Sequence, residues 1–219
     1  MKAYKFQEIT RLDQLNKDSF EYSYSDYMKW QFQERVEIIK GKIFPMSAPN
    51  TPHHSLSNDI GNCFYNYFKG KPCYYFVAPF DVRLPVGKKG NIYNTVVQPD
   101  LGVICDLLKI EKSGANGAPD LVVEILSPSN RQIEMHEKFE AYQASLVREY
   151  WIIHPEEQWM LQYVLNNNLK FELYKKYGNL SQIKSVIFPE LFVEVADYKQ
   201  LAHWKRKNIN SRRLPGSTN

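Results

Sequence analysis

Between residues 73 and 154 the hydrophobic period changes twice, and this limits the available folds more than any other feature of the chain. CYYFVAPFDVRLPV, TVVQPDLGVIC and APDLVVEIL are rich in Val, Ile, Tyr and Phe and are punctuated by Gly, Pro and Asn, which predicts strands. NRQIEMHEKFEAYQASL then reads with helical period, and EYWIIHP returns to strand. Strands and a helix alternating in this way call for a sheet with helices packed on it.

The flanking segments extend the pattern. Residues 10–33 read as one or two short helices, with Thr10 or Asp13 capping the first and Ser25 the second. RVEIIKGKIFPM predicts a hairpin turning at Lys40-Gly41, where Gly41 can take a positive φ. SAPNTPHHS reads as a polar loop. LSNDIGNCFYNYF reads as a helix, because Leu56, Ile60, Phe64 and Tyr67 recur at spacings of four, four and three. After residue 158, WMLQYVL, LKFELYKKY, SQIKSVIF and LFVEV are short strands with NNN and YGN turns, an antiparallel meander. The order of elements predicts an α/β or α+β fold with one mixed sheet. No linker is long enough to divide residues 1–204, which are expected to form a single domain.

Composition excludes several classes. Of the 219 residues, 43% are hydrophobic and 24% charged, so the chain is expected to be globular. No apolar run approaches a membrane span, and the charged N-terminus lacks a signal-peptide core, so a cytoplasmic location is expected. Cys63, Cys73 and Cys105 are odd in number and lack CxxC spacing, and are expected to be buried small hydrophobes rather than a disulfide scaffold or zinc ribbon. The net charge of +4 arises in residues 205–219, whose five Lys and Arg stand without an acid. This basic tail is expected to be flexible, and the folded body before it is close to neutral.

Two strands carry acids where core strands are ordinarily apolar. Alternation puts Leu101, Val103 and Cys105 on one face and Asp100 and Gly102 on the other. In APDLVVEIL, Leu121, Val123 and Ile125 share a face, and Asp120, Val122, Glu124 and Leu126 share the opposite one. A carboxylate set among Val122, Val123, Ile125 and Leu126 is costly to bury without a cationic partner. If the strands are neighbours, Asp100 and Glu124 meet on one side of the sheet, where a hard divalent cation would relieve their repulsion. An edge strand, or a pair with Arg131 or Lys138, also explains Glu124 without a metal. Asp120 lies about 13 Å along the strand, too far to share an ion with Glu124.

Pro128 stops this strand, and Ser129 with Gln132 fits a capping box. In the following helix Met135, Phe139, Tyr142 and Leu146 form an apolar stripe, with Lys138 and Arg131 at its border. Lys138 can lay its stem on the core and present its ammonium to the sheet, or pair with Glu134 one turn earlier.

The succession RVEIIKGKIFPMSAPNTPHH, VAPFDVRL, VVQPDLGVICD, GAPDLVVEILSPSNR, EKFEAYQASLVREYWIIHP resembles the Uma2 family (DUF820), which is grouped with restriction endonucleases. The resemblance spans roughly residues 20–195. It implies the PD-(D/E)xK superfamily, hence a restriction-endonuclease-like core with a central mixed β-sheet flanked by helices. It also implies Mg²⁺-dependent hydrolysis of phosphodiesters. Pro99-Asp100 is similar to the PD element, Glu124 to the acid of (D/E)xK, Glu37 to the family's early glutamate, and Lys138 to the lysine of the EKFExY helix. Leu126 departs from the superfamily pattern, since it stands where the ExK lysine belongs, and Lys138 would replace that lysine from the helix. His53 matches a family histidine expected to steady its loop or touch substrate. Asp81 and Asp106 also fall on family positions, where turn and strand-end roles suffice.

The expected activity is therefore metal-dependent cleavage of DNA. Asp100, Glu124 and the Ile125 carbonyl would hold Mg²⁺ (or Mn²⁺), and Glu37 would bind through water or steady the site. Lys138 would orient water, and His53 and Arg131 would contact phosphate. A homodimer would suit cleavage of both strands. A competing expectation is a nuclease fold kept as a DNA-binding or protein-interaction module without hydrolysis, which Leu126 and the near-neutral body favour. No aromatic sugar cleft supports a two-carboxylate glycosidase.

Overall fold

The structure is a computed structural model and describes residues 9–15, 21–86, 94–127, 132–180 and 182–195. Arg131, the Ser129 capping box and the basic tail lie outside these residues. In chain order the elements are α1 (Tyr24–Tyr27), β1 (Val36–Ile39), β2 (Lys42–Pro45), α2 (Thr51–Phe68), β3 (Tyr74–Val77), β4 (Val82–Arg83), β5 (Val96–Val97), β6 (Leu101–Ile104), β7 (Ile110–Glu111) and β8 (Gly114–Asn116). They continue with β9 (Leu121–Ile125), α3 (Gln132–Ala144), β10 (Glu149–His154), β11 (Trp159–Leu165), β12 (Phe171–Tyr177), β13 (Ile183–Lys184) and β14 (Phe192–Val193). Among the described residues no helix is long and apolar enough to cross a membrane.

The strands form two six-stranded sheets and a small hairpin, not the single sheet expected from sequence. The central sheet runs β12-β11-β10-β9-β6-β3 and is mixed, because β9 and β10 pair in parallel while its other neighbours are antiparallel. The second sheet runs β2-β1-β5-β4-β8-β7. Its strands are mostly two to four residues long, too short to declare a separate sheet by period alone. The C-terminal meander is present as β10-β11-β12, followed by the β13–β14 hairpin.

Both faces of the central sheet are covered, which is why β9 is buried along its whole length. On one face Leu101, Val103, Leu121, Val123, Ile125, Trp151 and Ile153 pack against Leu56, Ile60, Phe64 and Phe68 of α2 and against the terminal hairpin. On the other, Val122, Ile104 and Tyr150 meet Ala141 and Tyr142 of α3 and Ile39, Val82 and Val97 of the second sheet. Gly102 must lack a side chain, since a Cβ there would lie 2.4 Å from the Phe76 ring that covers it from β3.

Several local expectations are corrected. Among the described residues of 10–33 there are a 3₁₀ turn at Leu12–Gln14 and the single turn of α1, capped by Ser23 rather than Ser25. The loop SAPNTPHHS is shorter than read, because Asn50 caps α2 by accepting the His53 N–H at 3.0 Å and Pro52 occupies its first turn. His53 is thus helical. Cys73 and Cys105 are disulfide-bonded, as the β3–β6 register sets them opposite one another, while Cys63 is free and half-buried. The buried face of α3 runs through Lys138, Ala141 and Tyr142, and Leu146 is exposed. The hairpin β1–β2 is as read, with Lys40 and Gly41 both at positive φ.

Candidate active site

β6 and β9 are antiparallel neighbours with Leu101 opposite Val123 and Gly102 opposite Val122. The same register brings Asp100, just before β6, across from Glu124 on the face that looks towards α3 and the second sheet. Glu37 enters this space from β1 and Lys138 from α3. The Lys138 ammonium lies 2.9 Å from Glu37 Oε2 and 3.1 Å from both oxygens of Glu124. Its side chain is 3% exposed, so it sits within the site rather than at a solvated border. One turn along α3, Tyr142 donates its hydroxyl to Glu124 Oε1 at 2.6 Å.

The remaining oxygens are also held. Asp100 Oδ2 accepts the Ile125 N–H at 2.8 Å, and Oδ1 lies 3.1 Å from His53 Nε2. Glu37 Oε1 accepts the Gln98 N–H at 2.7 Å. Lys40 in the hairpin turn pairs with Glu137 of α3 at 2.8 Å, fixing the two elements that deliver Glu37 and Lys138.

Two carboxylates share the Lys138 ammonium and a third, Asp100, lies nearby, and the proton affinities of Glu124 and Lys138 reflect it. Burial raises Glu124 well above the ordinary carboxylate range; Lys138 opposes this, while Asp100 and Glu37 add to it. Burial alone would depress Lys138, but Glu124 and Glu37 outweigh it and hold the ammonium charged. Both directions have one origin, a surplus of negative charge enclosed away from water. Burial and the same two glutamates push the Tyr142 phenol well above its usual value, so it remains a hydrogen-bond donor.

Asp100, Glu124, Ile125 and Lys138 line a cleft of about 470 Å³ together with Arg35 and His53. Among the described residues no group of three or more His, Cys, Asp or Glu is arranged as a metal cage. Mg²⁺ does not require one, since it is held by one or two carboxylates and keeps several waters. Two carboxylates from adjacent strands, opening into a polar cleft, are oxygen donors of that kind.

Of the residues expected from sequence, Glu37, Asp100, Glu124, Ile125, Lys138 and His53 are brought together. Arg131 lies outside the described residues. Asp120 is set apart, accepting from the Cys105 N–H and pairing with Arg148. Asp106 caps a 3₁₀ turn through the Leu108 N–H. Three participants escaped the sequence reading: Tyr142, read only as part of an apolar stripe, and Gln98 and Arg35. The i+4 spacing of Tyr142 from Lys138 was a usable signal, and Gln98 immediately precedes the Pro99-Asp100 element.

The family model of Uma2, described as "Putative restriction endonuclease", matches residues 24–197. An uncharacterized protein of Synechocystis sp. is 27% identical over 119 residues, a match spanning 53% of this chain and 60% of the relative's length. A crystal structure from Anabaena variabilis, described as that of "a putative nuclease belonging to DUF820", superimposes with a TM-score of 0.62 at 19% identity. That match covers 84% of this chain and 98% of the neighbour, so the two folds are alike.

Proposed function

The chain belongs to the Uma2 family, and on that premise we propose that it is a metal-dependent endonuclease that hydrolyses phosphodiester bonds in DNA. The observation that carries this reading is the convergence of Glu37 and Glu124 on the buried ammonium of Lys138, with Asp100 across from Glu124 where the cleft opens. Such enclosed surplus of negative charge opposes folding and is retained where chemistry needs it. Asp100, Glu124 and the Ile125 carbonyl would hold Mg²⁺. Bound there, the ion would supply polarisation of the scissile phosphate and a more acidic water molecule.

The protein's own groups do the rest. Lys138 orients the attacking water and neutralises charge as it develops on the phosphoryl oxygens. Glu37 anchors Lys138 from the opposite side, and Tyr142 fixes the rotamer of Glu124. His53 braces Asp100, so that both first acids keep one orientation. The supporting groups sit on strands and helices, which hold position better than loops.

The test is cleavage of supercoiled plasmid in Mg²⁺ or Mn²⁺, with and without chelator, for the wild type and Asp100→Asn. Cleavage by the wild type alone, abolished by chelator, is the expected result. One observation favours the non-hydrolytic module: Lys138 is already engaged by both glutamates, and Leu126 provides no second lysine. DNA binding with no cleavage in either metal would select that reading.

A further inference from the structure

Arg35 stands immediately before β1, two residues from Glu37 and so about 6.6 Å from it along an extended strand, on the same face. The residue is exposed and lines the cleft. Among the described residues no carboxylate forms an ion pair with it. Instead, its Nε and Nη2 both donate to the neutral amide oxygen of Gln98, Nε at 3.0 Å. Gln98 is itself held: its Nε2 donates to Asp81 Oδ1 at 2.7 Å and to the Tyr27 hydroxyl at 3.2 Å, and its N–H is bonded to Glu37. The carboxylate of Asp81 demands a donor and Arg35 demands an acceptor, so the amide has one orientation.

The chain Asp81–Gln98–Arg35 therefore fixes a cation through a neutral amide, with the Asp81 carboxylate acting on it only through space. Two of the five guanidinium N–H groups are spent on Gln98, and the others remain for a ligand. We infer that Arg35 is the residue that grips a backbone phosphate of the nucleic acid beside the Asp100–Glu124 centre, with Gln98 as its positioning residue. Charge supports the assignment. The floor of the site holds three acids against one lysine, so a phosphodiester entering it needs a positive group on the wall. A planar fork already aimed by Gln98 meets phosphate oxygens in pairs at little entropic cost. The inference rests on the nuclease reading for its substrate.

The experiment measures binding of labelled single-stranded and duplex DNA in Ca²⁺ across a range of KCl concentrations, together with melting temperatures with and without Mg²⁺. Arg35→Gln is expected to weaken binding on the order of tenfold. It should also lower the steepness of log K against log salt by about 0.7–0.9, the share of one phosphate contact. Arg35→Lys should restore the salt slope but not the whole affinity, since the fork is lost. Gln98→Met should weaken binding in the wild-type background and add nothing to Arg35→Gln. Melting temperature and the Mg²⁺ shift should be unchanged in Arg35→Gln. Wild-type affinity and slope in Arg35→Gln would overturn the role of Arg35 and leave the nuclease reading standing. A lost Mg²⁺ shift in that variant would overturn it too, placing Arg35 at the acids instead. A wild type that neither binds nor cuts DNA would overturn both.

Discussion

Replacing Lys138 by Met removes the ammonium from between Glu37, whose side chain is 0% exposed, and Glu124, at 6%. Methionine nearly fills the same volume, so the loss is chiefly electrostatic. Two adjacent carboxylates are left, and one of them must take a proton for the fold to persist. Drawing a glutamate with an unfolded pKa of about 4.3 into its neutral form costs about 1.36 kcal/mol per pH unit above that value, or about 3.7 kcal/mol at pH 7. This agrees with the roughly 3–5 kcal/mol found when one partner of a buried pair is removed. The sign follows from linkage: the carboxyl left behind has a folded pKa raised above its unfolded one. Its neutral form therefore favours folding below the unfolded pKa, and that favour disappears as pH rises. The penalty of Lys138→Met should accordingly shrink to about 1 kcal/mol near pH 5. Urea melts of wild type and variant between about pH 5 and pH 8 measure it. Adding Glu124→Gln to the variant should recover most of the loss. A penalty below about 1 kcal/mol at pH 7, or one independent of pH, would refute the picture of a lysine that holds Glu37 and Glu124 together.

The other predictions concern single groups. Glu124→Gln should fold as well as the wild type or better at neutral pH, since burial already disfavours its charge, yet lose both cleavage and the Mg²⁺-induced rise in stability. That rise should be about 2.7 kcal/mol in the wild type at a hundredfold excess of ion over Kd, read by thermal melts. Gly41→Ala should cost about 1–2 kcal/mol in urea melts, because Gly41 has φ of +81° and a Cβ would lie 2.9 Å from the Glu21 backbone. Glu149→Gln should cost about 3 kcal/mol or more by the same measurement, since it sets an amide NH₂ against donors that now meet a carboxylate.

Much of the site could be read because its geometry is local. Asp100 and Glu124 stand out as acids in apolar strands, and strand alternation alone puts each on a definite face. The apolar stripe of Met135, Phe139, Tyr142 and Leu146 puts Lys138 at the border of its helix face. In the structure Leu146 has φ of +64° and ends the helix exposed, and the buried face turns towards Lys138. Features made by long-range register could not be read. Cys73 and Cys105 are 32 residues apart and meet only because β3 pairs with β6. Gln98 bonds Arg35, Tyr27 and Asp81 from three separate segments, and no spacing announces this. The start of α2 was legible in Asn50 and Pro52, but the apolar stripe beginning at Leu56 outweighed that signal.

Two buried glutamates on opposite faces of the central sheet show why burial alone does not mark an active site. Glu149, on β10, is 0% exposed and, among the described residues, forms no ion pair. Its Oε1 accepts from Trp151 Nε1 and Gln162 Nε2, both at 2.6 Å. Its Oε2 accepts from the Ser185 hydroxyl at 2.8 Å and the N–H groups of Val186 and Ile187 at 3.0 and 2.9 Å. Five donors converge on one carboxylate, which ties the segment leading from β13 to the sheet and replaces the hydration lost on burial. Glu124 is buried to nearly the same degree but is served by one tyrosine and a lysine that it shares with Glu37, with Asp100 as a further acid beside it. A carboxylate saturated by neutral donors gains nothing from a cation, whereas one crowded by other carboxylates does. By this criterion Glu149 is a structural tie, and the Glu124 side of the sheet is where a divalent ion and the phosphate it accompanies would find a place.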